Sequence, residues 1–399
     1  MIPRPLYIEK IRPFIDHPVI KVISGIRRSG KSMLLLMLRD ELLSRGVDIS
    51  QIIYINFESF ANASISTADA LYQKVINMKS DKKTYILLDE IQDVSQWEKA
   101  VNSFMVDFDC DIYITGSNSR LLSSELATLI AGRYVSINVE TLSFGEYLDF
   151  AHPKCDLQES FKKFLRLGGF PGIHVINYDT DSAYKLISDI YASVILRDTI
   201  QRNNVRNIDL LNRLVRYVFE NVGNYLSASN ISKYFKSQHS SVNIETIYNY
   251  LSYLESSFII RRVNRYDIRG KEILKANEKY FLSDHALPYA LNGYHDSNIS
   301  GVLENIVYLE LVRRGYQVFV GKFGTREVDF VAERRSEKIY LQVAYLLSDD
   351  SVVKREFSPL LEIDDNFPKY VVTMDSFWHD NINGVRHANI ADFLLNPQW

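Results

Sequence analysis

The sequence predicts an α/β fold built on a parallel sheet, with further helical and α/β segments behind it, and three observations carry that reading. Strand-like apolar runs recur at 19–23, 51–57, 84–88, 111–115 and 133–139. The first run leads into a glycine-bearing octapeptide, Gly25-Ile26-Arg27-Arg28-Ser29-Gly30-Lys31-Ser32. The third run ends in two carboxylates, Asp89-Glu90.

The octapeptide fits the phosphate-binding pattern G-x-x-x-x-G-K-[ST], and a strand before it supplies the context that pattern needs. Gly25 and Gly30 let the backbone wrap close to an anion, so that successive N–H groups through Arg28, Ser29 and Gly30 point at phosphate oxygens. Lys31 then neutralises the β- and γ-phosphates, and the Ser32 hydroxyl ligates Mg²⁺. A helix starting near Lys31, with Met33, Leu34, Leu36, Met37 and Leu38, adds its positive N-terminal dipole. After the run 84–88, Asp89 is expected to hold Mg²⁺ through its water shell and Glu90 to polarise the attacking water. The cofactors implied are ATP and Mg²⁺.

The run 51–57 is expected to place an extra strand between the phosphate-loop strand and the acidic strand. The run 111–115 ends in Gly116-Ser117-Asn118-Ser119-Arg120, where Asn118 or Ser117 is the candidate sensor facing the γ-phosphate. Residues 133–139 complete the parallel sheet. Arg133 is the candidate cation for transition-state charge, in cis or from a neighbouring subunit, and a plain surface arginine is the equal alternative.

At 399 residues the chain has room for several domains, and its net charge of -3 excludes a whole-protein attraction to nucleic acid or anionic lipid. Cys110 and Cys155 are isolated, and the eight histidines lack ligand spacing, so no metal beyond Mg²⁺ is expected. No apolar run approaches a membrane span and the N-terminus lacks the apolar core of a signal peptide, which points to the cytoplasm and to no membrane partner.

Four domains are expected: 1–140, 141–206, 207–285 and 286–399. The second is a helical lid, broken at Gly168-Gly169-Phe170-Pro171-Gly172, with a helix over 182–201 whose Arg197 and Asp198 form an ion pair or face the nucleotide. The third holds helices from 208, from 227 and over 243–255, then a hairpin of 258–263 and 279–282, the outline of a winged helix-turn-helix. Its third helix presents Glu245, Thr246, Asn249 and Tyr253, with no cation to read a base. The hairpin is basic: Arg261, Arg262, Arg265, Arg269, Lys271, Lys275 and Lys279 stand against Asp267, Glu272 and Glu278. Arg261, Arg262, Arg265 and Lys271 are candidate contacts to DNA phosphates, and a packing role for the hairpin is the alternative.

Residues 286–399 read helix, three strands, helix, strand. This order resembles the restriction-endonuclease-like core of Holliday junction resolvases and many DNA repair nucleases. That family carries an acidic residue on the first helix, an aspartate in the second strand and E-x-K in the third. Glu304 and Asp329 match the first two, with Glu327 on the face of Asp329, while Gln342-Val343-Ala344 stands in place of E-x-K. Losing a carboxylate and a lysine removes metal affinity and water activation, and no replacement lysine is evident nearby, so this domain is expected to bind rather than cut.

Over its whole length the chain resembles bacterial and archaeal ATPases of the AAA superfamily, close to the STAND group, that carry a C-terminal domain of unknown function. The residues behind this are the phosphate loop, Leu87-Leu88-Asp89-Glu90-Ile91-Gln92, Thr115-Gly116-Ser117-Asn118-Ser119, Ala131-Gly132-Arg133 and Glu327-Val328-Asp329-Phe330-Val331. The resemblance implies Mg·ATP binding, slow hydrolysis and nucleotide-dependent rearrangement. The expected function is therefore a nucleotide-driven switch coupled to DNA, to a protein partner or to self-association. An ATP-gated metal-dependent nuclease and an ATP-binding module without turnover are the alternatives.

Overall fold

The computed structural model describes residues 2–117, 130, 132–152, 156–240, 242–293, 298–376 and 381–399. The chain divides into two compact units, Met1–Glu140 with Ser256–Phe258, and Thr141–Glu255 with Ile259–Trp399.

The first unit is a five-stranded parallel sheet. Its strands are β1 (Ile20–Ser24), β2 (Ile52–Asn56), β3 (Thr84–Asp89), β4 (Cys110–Gly116) and β5 (Tyr134–Asn138), ordered β2-β3-β4-β1-β5. The strand between the phosphate-loop strand β1 and the acidic strand β3 is thus β4. The run at 51–57, expected there, is instead the edge strand beyond β3. Both faces are covered, which is why the central strands read as unbroken apolar runs. One face packs Ile20, Val22, Ile86, Leu88 and Ile114 under the helices Ala68–Met78 and Trp97–Asp107, with Leu71, Val75 and Phe104 fully buried. The other packs Ile23, Leu87 and Tyr113 under the helices Pro5–Ile11 and Lys31–Ser44, through Tyr7, Leu35 and Leu38.

Within the apolar sheet Lys21 is fully buried and pairs with Asp111, while its ammonium also donates to the His17 carbonyl at 3.1 Å. Burial holds the Lys21 ammonium below its usual pKa against the pull of Asp111.

The second unit opens with the helices Phe144–Ala151, Leu157–Leu167 and Thr180–Ser193, the last running into a π-helical stretch Val194–Gln201. The turn after Leu167 is tied down from the far end of the unit: the Gly169 N–H donates to Asp284 Oδ2 at 2.8 Å. Asp198 is buried and bridges Arg202 at 3.3 Å, one turn onward in the helix. Then come the helices Ile208–Glu220, Ala228–Ser237 and Ile244–Ser256.

A nine-stranded sheet closes the unit. It comprises β6 (Tyr225–Leu226), β7 (Ile260–Asp267), β8 (Glu272–Leu282), β9 (Gln317–Phe323), β10 (Arg326–Arg334), β11 (Glu337–Val343), β12 (Lys369–Thr373), β13 (Asn381–Ile382) and β14 (Val385–Asn389). Their order is β13-β14-β12-β11-β10-β9-β7-β8-β6. The hairpin β7–β8 does not stand free: β7 pairs in parallel with β9 through Arg265↔Val320 and Asp267↔Lys322. One sheet therefore crosses the boundary expected at 285. The helix Ile299–Arg313 is buried along almost its whole length, and Asp350–Leu361 packs Phe357 and Leu360 against β10 and β12 neighbours. No described helix is long and apolar enough to cross a membrane.

Candidate nucleotide site and a buried carboxylate cluster

The phosphate loop runs from the end of β1 into the helix Lys31–Ser44. Gly25 (φ 148°) lies against the end of β5, where an added Cβ would meet the Val139 carbonyl oxygen at 2.2 Å. Gly30 (φ 101°) precedes the helix in the left-handed region. The exposed Arg28 also has a positive φ of 64°, so the loop turns its backbone inward and leaves that side chain outside. Ser29 is fully buried, and its carbonyl accepts from Arg4 Nη1 at 2.8 Å; the other Arg4 nitrogen reaches the Glu140 carbonyl at 3.0 Å.

Lys31 is buried at the first helical position. Its ammonium donates to the Gly25 and Ile26 carbonyls at 3.1 and 3.2 Å and lies 3.5 Å from Glu90 Oε1. The parallel register brings the acidic pair to the same sheet end, because β1 and β3 both flank β4 and point the same way. Asp89 is fully buried. It accepts from Thr115 Oγ1 at 2.5 Å, Asn56 Nδ2 at 2.9 Å and the Tyr54 hydroxyl at 3.1 Å. Burial still pushes its pKa above the usual aspartate range. Glu90 sits at φ 57°, held by the Thr115 hydroxyl on its N–H at 2.9 Å and by Gln92 on its carboxylate. Burial works upward on Glu90, but the Lys31 ammonium prevails with Gln92, and the group stays below its usual value, ionised. Tyr54, pushed up to about 12 chiefly by burial, stays a donor.

This donor set suits a nucleotide with a divalent cation: a glycine whose missing Cβ leaves the loop its path, a helix N-terminus, a lysine, a serine on the first helical turn and a buried aspartate. Ser117 is buried at the tip of β4, while Asn118 lies outside the described residues. Arg133 is not brought to the loop. Its carbonyl accepts the N–H of Ile20, at the start of β1, whereas the loop leaves the other end of that strand. Five strand residues separate them, roughly 15 Å, which no arginine side chain spans in cis. Thr115, Tyr54 and Asn56 were not singled out by sequence reasoning; the available signal was a polar residue at the C-terminal tip of a parallel strand.

The expected DNA contacts are dispersed. Arg262 is exposed and lies 3.6 Å from Glu255, Lys271 is exposed at the hairpin turn, and Arg265 stacks over the Tyr225 ring at 4.8 Å. Arg261 is half-buried, opposite Phe281 in the ladder. Lys279 is no surface cation: its ammonium is buried 2.6 Å from Glu327 Oε1, 3.1 Å from Glu304 Oε2 and 3.7 Å from Asp329 Oδ1. The carboxylates expected at a degenerate nuclease site are thus together, and a lysine does stand beside them, from β8 rather than from β11. Asp329 Oδ2 accepts the Val343 N–H at 2.8 Å, and the Gln342 side-chain oxygen accepts the Asp329 N–H at 3.3 Å. Glu304, Asp329, Gln342 and Ala344 line a cavity of about 460 Å³.

Comparisons with known proteins agree with the first unit's geometry. Residues 17–148 match the model of an AAA domain, and residues 158–298 match a domain of unknown function (DUF8612). An uncharacterized protein of Haemophilus influenzae is 39% identical over 401 residues, covering 99% of both chains. The uncharacterized protein MJ1544 of Methanocaldococcus jannaschii is 30% identical over 346 residues, covering 83% of this chain and 75% of its own. The Walker-type ATPase PABY2304 of Pyrococcus abyssi shares the fold with a TM-score of 0.51 at 16% identity, over 73% of this chain and 96% of its own. The chain belongs to the family of these Haemophilus and Methanocaldococcus proteins and carries an AAA-type P-loop ATPase domain.

Proposed function

We propose that the chain binds Mg·ATP at the Gly25–Ser32 loop, hydrolyses it slowly, and uses the cycle to change what its second unit binds. The single observation that carries this reading is the meeting of Lys31, Ser32, Asp89 and Glu90 at one end of the sheet, with Lys31 3.5 Å from Glu90. ATP with Mg²⁺ supplies an electrophilic γ-phosphorus and a charged leaving group. The protein's part is positioning and charge. Lys31, freed from its loop carbonyls, places its ammonium on the phosphates, and the N–H groups of the loop and helix orient them. Ser32 and Asp89 hold the cation, Asp89 being fixed from three further directions by Thr115, Asn56 and Tyr54. Glu90, kept ionised, is the group able to take a proton from water. Arg133 can complete such a site only from a second copy of the chain.

For the second unit we infer a winged-helix-like binding role with DNA or protein as partner, the exposed Arg262 and Lys271 being the cations open to phosphates. Cleavage of nucleic acid is not part of this reading, since Gln342 and Ala344 replace the ligand and the cation that β11 would offer. Titration of ATP with and without Mg²⁺ tests the proposal. Lys31→Ala should weaken binding by roughly 100-fold, the loss of charge-assisted bonds to phosphate. Asp89→Asn should remove the dependence on Mg²⁺. Unchanged affinity in Lys31→Ala would exclude the loop as the site.

A further inference from the structure

Four ionisable side chains from three elements converge in the second unit: Lys279 from β8, Glu304 from the helix Ile299–Arg313, and Glu327 and Asp329 from β10. Glu304, Asp329 and Lys279 are all buried. Three carboxylates this close repel one another, and burial removes the water that would screen them, so a proton or a cation must offset their charge. The Lys279 ammonium stands among them, within 3.7 Å of an oxygen of each. It donates to Glu304 Oε2 at 3.1 Å and faces Glu327 and Asp329 as ion pairs. Burial opposes its charge, yet the three carboxylates outweigh burial and raise its pKa, so it is charged at any physiological pH.

We propose that Lys279 is the resident counter-cation of this cluster, occupying the centre that a divalent metal ion would need and thereby closing the cluster to metals while stapling the hairpin to the helix and to β10. Geometry favours the lysine over an added ion. An ammonium at 2.6 to 3.7 Å from the three carboxylates fills the point where their oxygens converge. The second Asp329 oxygen, Oδ2, is engaged by the Val343 N–H. Gln342, which lines the same cavity, is neutral and adds no charge for a metal to answer. The substitution of E-x-K in β11 and the arrival of a lysine from β8 are then one arrangement, in which the positive charge comes from the fold itself.

The test is Mn²⁺ binding, read by electron paramagnetic resonance and by thermal shift, on the full chain without nucleotide so that the phosphate loop contributes nothing. Wild type should leave Mn²⁺ free and show no shift in Tm at millimolar Mn²⁺. Lys279→Met should lower Tm by roughly 5 °C or more, because three buried carboxylates lose their cation, and Mn²⁺ should restore part of that loss. Lys279→Arg should retain most of the stability and still exclude Mn²⁺. Tight Mn²⁺ binding by wild type that disappears in Asp329→Asn would overturn the proposal, as would a Lys279→Met protein as stable as wild type. If Lys279→Met does not fold, wild type and Lys279→Arg decide the matter: Mn²⁺ bound by either at this cluster contradicts it, and exclusion by both supports it.

Discussion

Thr115 shows how one side chain can serve two neighbouring acidic residues. Its hydroxyl donates to Asp89 Oδ1 and accepts the N–H of Glu90, so it fixes a carboxylate and the strained backbone next to it. Thr115→Val keeps the shape and removes both bonds, leaving Asp89 a buried acceptor with one partner fewer. The expected cost is about 1–3 kcal/mol of stability, measured by urea unfolding, with a larger fall in phosphate release than in ATP affinity. Loss of affinity without loss of turnover would refute this division. Lys31, Ser32, Asp89 and Glu90 were legible in the sequence because they are letters of two local motifs. Thr115, Tyr54 and Asn56 were not, because strand register alone brings them to Asp89: Asn56 pairs directly with Asp89, and Leu88 with Ile114. Lys279 was misread as a surface cation for the same reason, since its partners lie 25 to 50 residues further along.

Among the elements, the phosphate loop and the hairpin differ in how much local sequence decides. The loop is fixed by backbone geometry that only glycine meets. Gly25→Ala would drive a Cβ into the Val139 carbonyl at a positive φ, and should abolish ATP binding while the second unit's helical signal persists. The hairpin was legible as two extended runs, 258–263 and 279–282, but its parallel pairing with β9 was not, since nothing local marks a strand edge as occupied. That pairing changes the DNA prediction. Neutralising the exposed Arg262, Arg269 and Lys271 together should weaken binding to unrelated duplexes equally and reduce the salt slope by about three. No binding by wild type at low salt would leave the hairpin as a packing element.

Across the whole molecule, the order of the five-stranded sheet follows from its apolar runs only in part. The runs established five strands, and the topology places β4 between β1 and β3, which no run records. The domain divisions expected at 206 and 285 came from the order of helices and strands, whereas one sheet and the Gly169–Asp284 bond hold those segments in one unit. The carboxylate cluster also leaves a signature in the stability of the whole chain. Burial is the largest influence on Asp329 and pushes it up to about 6, and Glu304 is raised as well, with Lys279, Glu327 and Glu356 facing them. A carboxyl with a raised folded-state pKa binds its proton more tightly when folded. Its contribution is therefore present below the ordinary aspartate pKa and is lost as pH rises through about 6. Urea unfolding between pH 4 and about 7 should show that Asp329→Asn loses less stability than wild type as pH rises through this window.

In the proposed cycle Glu90 acts on water while Lys31, Ser32 and Asp89 act on Mg·ATP. Phosphate release under single-turnover conditions, with ATP affinity measured on the same protein, tests it most directly in Glu90→Gln. Affinity should stay within a few-fold of wild type while turnover slows by roughly 10²- to 10⁴-fold. Equal rates for Glu90→Gln and wild type would contradict it.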